Sequence, residues 1–269
     1  ADRLGVYAKD SHTGEYVSFT GNMSGVLALE YQLAQRKAVG TLPPNGAVVT
    51  TIVSGKMARE ITKAYQVELI ETLTGFKYIG EQIKLFEQSQ RHEYVFGYEE
   101  SYGCLVGTHA RDKDAVAAVM ALCEAAAFCK SQGMTLCDKM YELFETYGYF
   151  KEELCTVTLK GQEGAKKIEG MMENIRAEVP KVIGGLRVTQ FRDYREDVLM
   201  EMESGNKSRT GLPKSNVLYF ELENGAWCCI RPSGTEPKIK FYIGVKGKDE
   251  READERLRSL TEAVERLAG

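Results

Sequence analysis

The first twenty residues alternate apolar and polar positions around a turn. They predict a hairpin: a strand through Tyr7, a bend from Asp10 to Gly14, and a second strand from Tyr16 to Phe19. A helix to about Lys37 follows, with Asn22 or Ser24 as its cap, and Pro43-Pro44-Asn45-Gly46 closes it in a loop. A repeat then begins. The buried-type run Ala47 to Val53 leads through Ser54 into a helix carrying apolar Met57, Ile61 and Ala64. The run Val67 to Leu73 leads to Thr74-Gly75-Phe76-Lys77 and a helix to about Glu87. The run Glu93 to Phe96 leads to Gly97-Tyr98-Glu99-Glu100-Ser101-Tyr102-Gly103. A helix over 113–132, capped by Asp112 and stopped by Gly133, carries Val116, Val119, Met120, Cys123 and Ala127 in one stripe of the kind that faces a core. Thr135 to Tyr149 reads as a further helix.

Strand–helix repeats of this size predict an α/β fold, a mostly parallel sheet sandwiched by helices. In such sheets ligands gather beyond the carboxyl ends of the strands, where these glycine-rich segments fall. From about Lys151 the pattern changes to strand (Leu154 to Leu159), helix (Glu163 to Glu178) and strand (Leu186 to Asp193). The polar stretch Glu196 to Lys214 predicts a long mobile loop. Two strands bracket Asn224-Gly225, a hairpin signal, and a last helix from about Asp249 carries Ala253, Leu257, Leu260, Val264 and Leu267 on one stripe. This part predicts a smaller α+β domain, an antiparallel sheet backed by helices on one face. The expected divisions are a hairpin over 1–20, an α/β domain over 21–150 and an α+β domain over 151–269.

Composition removes several classes of function. With 43% hydrophobic and 28% charged residues and a net charge of −4, no global field favours nucleic acid or an anionic membrane. An anion must be held by a few placed groups. No signal peptide and no apolar run near the length of a membrane span is present. The seven cysteines are odd in number and lack a C-x-x-C pair, which points to free thiols in a reducing, cytoplasmic compartment. The three histidines do not cluster. The chain opens on Ala1-Asp2-Arg3, without methionine and directly before a strand, so a segment of a longer polypeptide is expected.

The densest chemistry lies in Arg231-Pro232-Ser233-Gly234-Thr235-Glu236-Pro237. A forked cation, two hydroxyls and a glycine that turns amides inward are what a phosphate dianion wants. Alternation puts Lys238 and Lys240 on one face, adding positive charge. Taken alone, the stretch reads equally well as an ordinary turn with a surface arginine. Glu99 and Glu100, adjacent between glycines and beside Ser101, suit a polyol, or else a solvated acidic loop. Lys113, placed by this reading in the first turn of its helix, faces the positive end of the dipole. It is either a proton-transfer or phosphate-contacting group, or a surface lysine. Thr74-Gly75-Phe76-Lys77 suits close backbone approach to a ligand.

Taken together and in order, these motifs make the sequence resemble the C-terminal half of an α-D-phosphohexomutase, closest to the phosphoglucomutase/phosphomannomutase branch. Arg231-Pro232-Ser233-Gly234-Thr235 resembles the phosphate-binding loop of the fourth domain, with Lys238 beside it. Gly97 to Gly103 resembles the sugar-binding loop of the third, whose glutamate and serine map to Glu99 and Ser101, with Glu99 against Glu100 left open by Tyr98. Thr74, Gly75 and Phe76 match the loop that sets substrate orientation, and Lys113 inherits a role in proton transfer. Asp2-Arg3 resembles the end of a D-x-D-x-D-R magnesium loop, so Asp2 is one ligand of an incomplete metal site with Arg3 near it, and 1–20 is a remnant of the preceding metal-binding domain.

The phosphorylated serine of the family's first domain is absent from this chain, and Ser11-His12 is not read as its equivalent. The resemblance implies interconversion of hexose 1-phosphate and hexose 6-phosphate through a 1,6-bisphosphate and an enzyme phosphoserine, with Mg2+ in the full-length protein. This segment would bind a phosphosugar, and neither nucleic acid nor membrane, without turning over alone. The alternative is a non-catalytic phosphosugar-binding module.

Overall fold

The computed structural model describes every residue except Lys160, Thr235 and Gly269, and the backbone alone at Leu267 and Ala268. It divides into two compact units, Ala1–Gly148 and Tyr149–Gly269.

The first unit opens with β1 (Val6–Lys9) paired antiparallel to β2 (Tyr16–Phe19). Helix α1 (Gly21–Ala38) follows at once. Its cap is Thr20, whose hydroxyl accepts the amide of Met23, and not Asn22 or Ser24. Those two lie within the first helical turn or at its end, where the Asn22 side chain accepts from the Gly55 amide at 2.9 Å. Next come β3 (Gly46–Thr51), α2 (Met57–Tyr65), β4 (Glu68–Thr72), α3 (Phe76–Ser89), β5 (Glu93–Tyr98) and β6 (Cys104–Val106). The sheet order is β4-β3-β5-β6, parallel at β3/β4 and β3/β5 and antiparallel at β5/β6. All six residues of β3 are buried, as expected of a strand with neighbours on both edges and helices on its faces.

Helices α4 (Ala115–Ser131) and α5 (Leu136–Tyr147) complete the unit, α5 starting on a reciprocal capping box between Thr135 and Asp138. Two expectations fail at α4. Its cap is Asp114, which accepts from the amides of Val116 and Ala117, so Lys113 precedes the helix instead of lying in its first turn. The expected core stripe also faces outward. The buried side is Ala115, Ala118, Ala121, Leu122, Ala125 and Cys129, whose short side chains let α4 approach its neighbours closely.

The hairpin turn is fastened to α5. The Tyr141 hydroxyl donates to Asp10 Oδ2 at 3.2 Å, Ser11 Oγ donates to Asp138, and Phe19 is 1% exposed.

The second unit contains β7 (Tyr149–Thr158), α6 (Gly161–Ala177), β8 (Val182–Ile183), β9 (Leu186–Asp193), β10 (Val198–Glu201), β11 (Lys207–Ser208), β12 (Leu218–Leu222), β13 (Trp227–Pro232), β14 (Lys238–Gly247) and α7 (Glu250–Ala268). The strands form one antiparallel sheet in the order β11-β10-β9-β12-β13-β14-β7, with β8 paired to β9. One face carries Leu218, Phe220, Cys228, Ile230, Ile239, Phe241 and Ile243, packed with Ile168 and Met172 of α6 and Leu260 and Val264 of α7. This is the predicted α+β architecture. The Leu267 position of the predicted α7 stripe lies outside the described side chains.

The stretch from Glu196 to Lys214 is no structureless loop, because β10 and β11 pair within it. Asp197 closes the hairpin, accepting from Arg209 Nε and from both the amide and the hydroxyl of Thr210. These donors hold its carboxyl at about 2, below the usual aspartate value of 3.8.

Candidate functional site

In the first unit the polar segments sit where the parallel strands end. The loop after β5 brings Glu99 to Gly103, the turn before α3 brings Thr74 and Gly75, and the approach to α4 brings Lys113. Gly75 sits at φ 121°, a left-handed conformation that disfavours side chains, and it starts α3 without a side-chain cap. Two close packings fix the Glu99 loop. A Cβ on Gly21, at the start of α1, would lie 2.6 Å from the Tyr102 amide and closer still to the Glu100 carbonyl. Gly103 supports what lies beside it. A Cβ there would stand 2.7 Å from Lys113 Cγ, closer still to its Cδ, and 2.9 Å from Glu99 Oε1. The loop glycine therefore seats the lysine stem and the carboxylate side by side.

The two adjacent glutamates have different fates. Glu100 Oε2 accepts from the Thr51 hydroxyl at 3.1 Å, and Thr51 in turn pairs with Ser54 at 2.9 Å. Glu99 is 4% exposed, and its Oε1 has no hydrogen-bond donor. The Arg3 guanidinium stands 3.7 Å from that oxygen. A buried carboxylate oxygen without a donor costs about 1–3 kcal/mol, so Glu99 has a buried acceptor to spare. Thr74 Oγ1 is likewise buried without a partner. Ser101 is half-buried on the same loop.

Lys113 is largely buried along its stem. Its ammonium is 2.8 Å from Asp112 Oδ1, 3.8 Å from Asp2 Oδ2, and 5.4 Å from the centre of the Phe76 ring. Hydrogen bonds from the Lys113 side chain and amide lower the Asp112 carboxyl, against a smaller opposing effect of burial. Asp114 is lowered by His109, whose Nε2 is 2.8 Å away, and by the helix amides it caps. Asp2, Arg3, Glu99, Lys113 and Phe76 are thus neighbours, linked pairwise by these contacts. The importance of Asp112 and Gly103 was not foreseen; the D-K-D run and the closing glycine of G-Y-E-E-S-Y-G were the available signals.

Magnesium is a poor fit to what is present. Asp2 is the only expected ligand, its carboxylate lies 3.9 Å from Arg3 and 3.8 Å from Lys113, and among the described residues no three ligating side chains converge.

In the second unit β13 and β14 place Arg231 directly opposite Lys240, with Lys238 two positions along on the same face. All three are half-buried. Like charges facing across a ladder are mutually destabilising, and among the described residues neither Arg231 nor Lys240 has an acidic partner. Lys238 pairs with Glu236 at 3.1 Å. The turn is closed by the Ser233 amide, which donates to the Lys238 carbonyl at 2.7 Å, while Ser233 Oγ accepts from the Glu236 amide at 3.3 Å. Gly234 is exposed with open space where a side chain would be. Thr235, predicted as a phosphate ligand, lies outside the described residues.

A helix-sandwiched, mainly parallel sheet with an acidic and lysine-bearing loop cluster, followed by an antiparallel sheet domain with a basic turn, defines an α/β domain joined to an α+β domain. Residues 20–147 match the family described as phosphoglucomutase/phosphomannomutase, alpha/beta/alpha domain III, and residues 171–262 match the C-terminal domain of the same family. The chain belongs to the phosphoglucomutase/phosphomannomutase family and carries its third and C-terminal domains.

Among its relatives is a phosphoglucomutase from Staphylococcus aureus, 36% identical over 93% of this chain and 44% of that protein. Another, from Staphylococcus epidermidis, is 36% identical over 91% of this chain and 43% of its own length. The chain spans less than half the length of the curated relatives it matches. Among solved structures, the pp63/parafusin phosphoglucomutase of Paramecium aligns with a TM-score of 0.65 at 18% identity, over 99% of this chain and 43% of that one. A phosphoglucomutase/phosphomannomutase family protein from Burkholderia thailandensis aligns with a TM-score of 0.58 at 11% identity, over 99% and 45%. These distant structures bear on the fold alone.

Proposed function

We propose that this chain is the sugar- and phosphate-handling part of a phosphoglucomutase-type enzyme that interconverts hexose 1-phosphate and hexose 6-phosphate through a hexose 1,6-bisphosphate and an enzyme phosphoserine. The observation that carries this reading is the buried, donor-less Oε1 of Glu99 beside Arg3 and Lys113. A sugar hydroxyl would supply the missing donor. Ser101, Thr74, Gly75 and Phe76 would complete the sugar subsite, with Lys113 moving a proton at the reacting hydroxyl. Arg231, Ser233, Gly234, Thr235 and Lys238 would hold the phosphate that is not reacting, where the Arg231–Lys240 repulsion gains from an anion. Transfer of this kind depends on positioning and charge stabilisation more than on bond-making by the protein.

In this reading residues 1–20 are the remnant of a preceding metal-binding domain, Asp2 would ligate magnesium only together with ligands this chain does not supply, and the free state of the cysteines fits the cytoplasm. The 269-residue chain alone binds phosphosugar without turnover, because its sequence holds no phosphoserine loop.

Titration calorimetry with glucose 6-phosphate and glucose 1,6-bisphosphate tests the reading. Glu99→Gln should weaken binding about tenfold or more, as loss of one charged hydrogen bond requires, whereas Glu100→Gln, whose carboxylate is occupied by Thr51, should change it little. Equal affinities in wild type and Glu99→Gln would remove Glu99 from the site. Conversion of glucose 1-phosphate by the purified chain would refute the claim about turnover.

A further inference from the structure

Two buried hydroxyls at the end of β3 reach into the acidic loop. Thr51 is the last residue of the strand and Ser54 lies three residues on, and both are buried. Their oxygens are 2.9 Å apart, Ser54 Oγ accepts from the Thr51 amide at 3.2 Å, and Thr51 Oγ1 is 3.1 Å from Glu100 Oε2. Counting protons fixes the direction. A carboxylate only accepts, so Thr51 gives its one hydroxyl proton to Glu100. Ser54 must then donate to Thr51 Oγ1. The result is a one-way relay from Ser54 through Thr51 to Glu100, in which each bond polarises the next.

The relay joins a rigid segment to an irregular one. The Ile52 amide donates to the Thr72 carbonyl at 2.8 Å, and the Ile52 carbonyl accepts from the Lys56 ammonium at 3.0 Å. That ammonium is itself paired with Glu71 at 2.7 Å, and the Gly55 amide is held by Asn22. The acidic loop is a turn, closed by the Glu99 amide on the Gly103 carbonyl at 2.9 Å. It carries Tyr102 at φ 69°, a left-handed angle that a tyrosine keeps only where its surroundings hold it. Adjacent carboxylates repel, so where Glu99 points depends on where Glu100 is fixed. With Glu100 drawn to Thr51, Glu99 is left beside Arg3, and Ser101 follows on the same turn.

We propose that Thr51 and Ser54 are positioning residues of the sugar subsite, holding Glu99 and Ser101 in their binding shape through Glu100. This role rests on the reading of Glu99 as a sugar contact. A buried polar chain at a strand end adds nothing to the sheet that an apolar residue would not, and the carboxylate it holds is the one next to Glu99. Glu100→Gln keeps an oxygen for Thr51, in keeping with its small expected effect on binding.

Titration calorimetry on the 269-residue chain with glucose 1,6-bisphosphate tests it, using Thr51→Val, Thr51→Ser and Glu99→Gln. Thr51→Val keeps the shape of the side chain and removes the donor. It should weaken binding about tenfold, as the competent fraction of the loop falls. Thr51→Ser keeps the donor and should bind nearly as wild type does. A packing role alone predicts the reverse order, since Thr51→Ser leaves a gap where the methyl was. In the ligand-free chain, hydrogen exchange over residues 97–103 should quicken in Thr51→Val and not in Thr51→Ser. Ser54→Ala cuts the relay one step back and should weaken binding about fivefold; it carries the test if Thr51→Val does not fold. Wild-type affinity in Thr51→Val or Ser54→Ala, or a larger loss in Thr51→Ser than in Thr51→Val, overturns the proposal, while a weakened Glu99→Gln leaves the sugar reading standing. Quickened exchange together with an unaffected Glu99→Gln would instead overturn that reading, and the positioning role with it.

Discussion

Gly103→Ala separates the acidic loop's role in binding from its role in folding. The added methyl would meet Cγ of Lys113 at 2.7 Å, its Cδ closer still, and Glu99 Oε1 at 2.9 Å. Non-bonded carbons normally approach to about 3.5–4.0 Å, so the lysine stem must move by about an ångström and the carboxylate with it. Overpacking of this kind costs about 1–3 kcal/mol. The low end is expected, because a lysine stem yields more easily than backbone. The moved groups are the two proposed to meet the sugar. Phosphosugar affinity should therefore fall about tenfold or more, for one charged hydrogen bond misplaced.

The decisive comparison is a double-mutant cycle with Lys113→Ala, read by urea unfolding followed by circular dichroism. With the stem removed, Gly103→Ala loses its clash, and most of its stability cost should vanish, giving a coupling of about 0.5–3 kcal/mol. A Gly103→Ala penalty of the same size in both backgrounds would refute the claim that this glycine seats Lys113.

Further outcomes follow from the same structure. Arg231→Ala should weaken phosphosugar binding about tenfold or more, and Lys240→Ala should raise stability slightly in the absence of anion while lowering affinity, both read by calorimetry and thermal unfolding. At Glu71, burial works to raise the carboxyl, but Lys56 and Arg59, each 2.7 Å away, outweigh it and hold it at about 2, below the usual 4.5. A group depressed in the folded state stabilises above its unfolded value and stops doing so as pH falls through its folded one. Stability should thus decline between about pH 4.5 and pH 2, and Glu71→Gln should flatten that limb in acid titrations. Thr20→Ala, which removes the α1 cap, should cost about 1 kcal/mol in chemical denaturation; an unchanged midpoint would mean the cap is idle.

Where the sequence reading succeeded, local chemistry and long-range packing agreed. Strand β9 runs from Leu186 to Asp193 as its alternation implies, and Asn224-Gly225 forms its turn with both residues at positive φ. It failed where composition left a choice. Helix α4 is apolar almost all round, so its period could not say which side would be buried; the mainly alanine face won because small side chains allow close approach. Between Glu196 and Lys214, polarity suggested a loop, yet the fold there rests on one aspartate at φ 57° accepting from residues twelve and thirteen positions later. The site shows the same division. The G-Y-E-E-S-Y-G run was legible, but the difference between its two glutamates depends on Thr51, forty-nine residues earlier.

Both units also leave charge incompletely compensated in the same manner. In the first, one carboxylate oxygen of Glu99 is buried with no donor while the neighbouring glutamate accepts from Thr51. In the second, an arginine and a lysine face each other across a ladder while the next lysine has its own acid. Stability alone favours neither feature, since each leaves a charge short of partners. Their placement beyond the strand ends of one unit and at the basic turn of the other makes the two deficits complementary in sign. A hydroxyl donor would relieve the deficit of the first unit and a phosphate dianion that of the second. Inorganic phosphate should accordingly raise the thermal midpoint of the second unit, and glucose, which brings hydroxyls without the dianion, should raise that of the first unit alone. Stabilisation of Arg231→Ala by phosphate to the same extent as wild type would break the link between that turn and the anion.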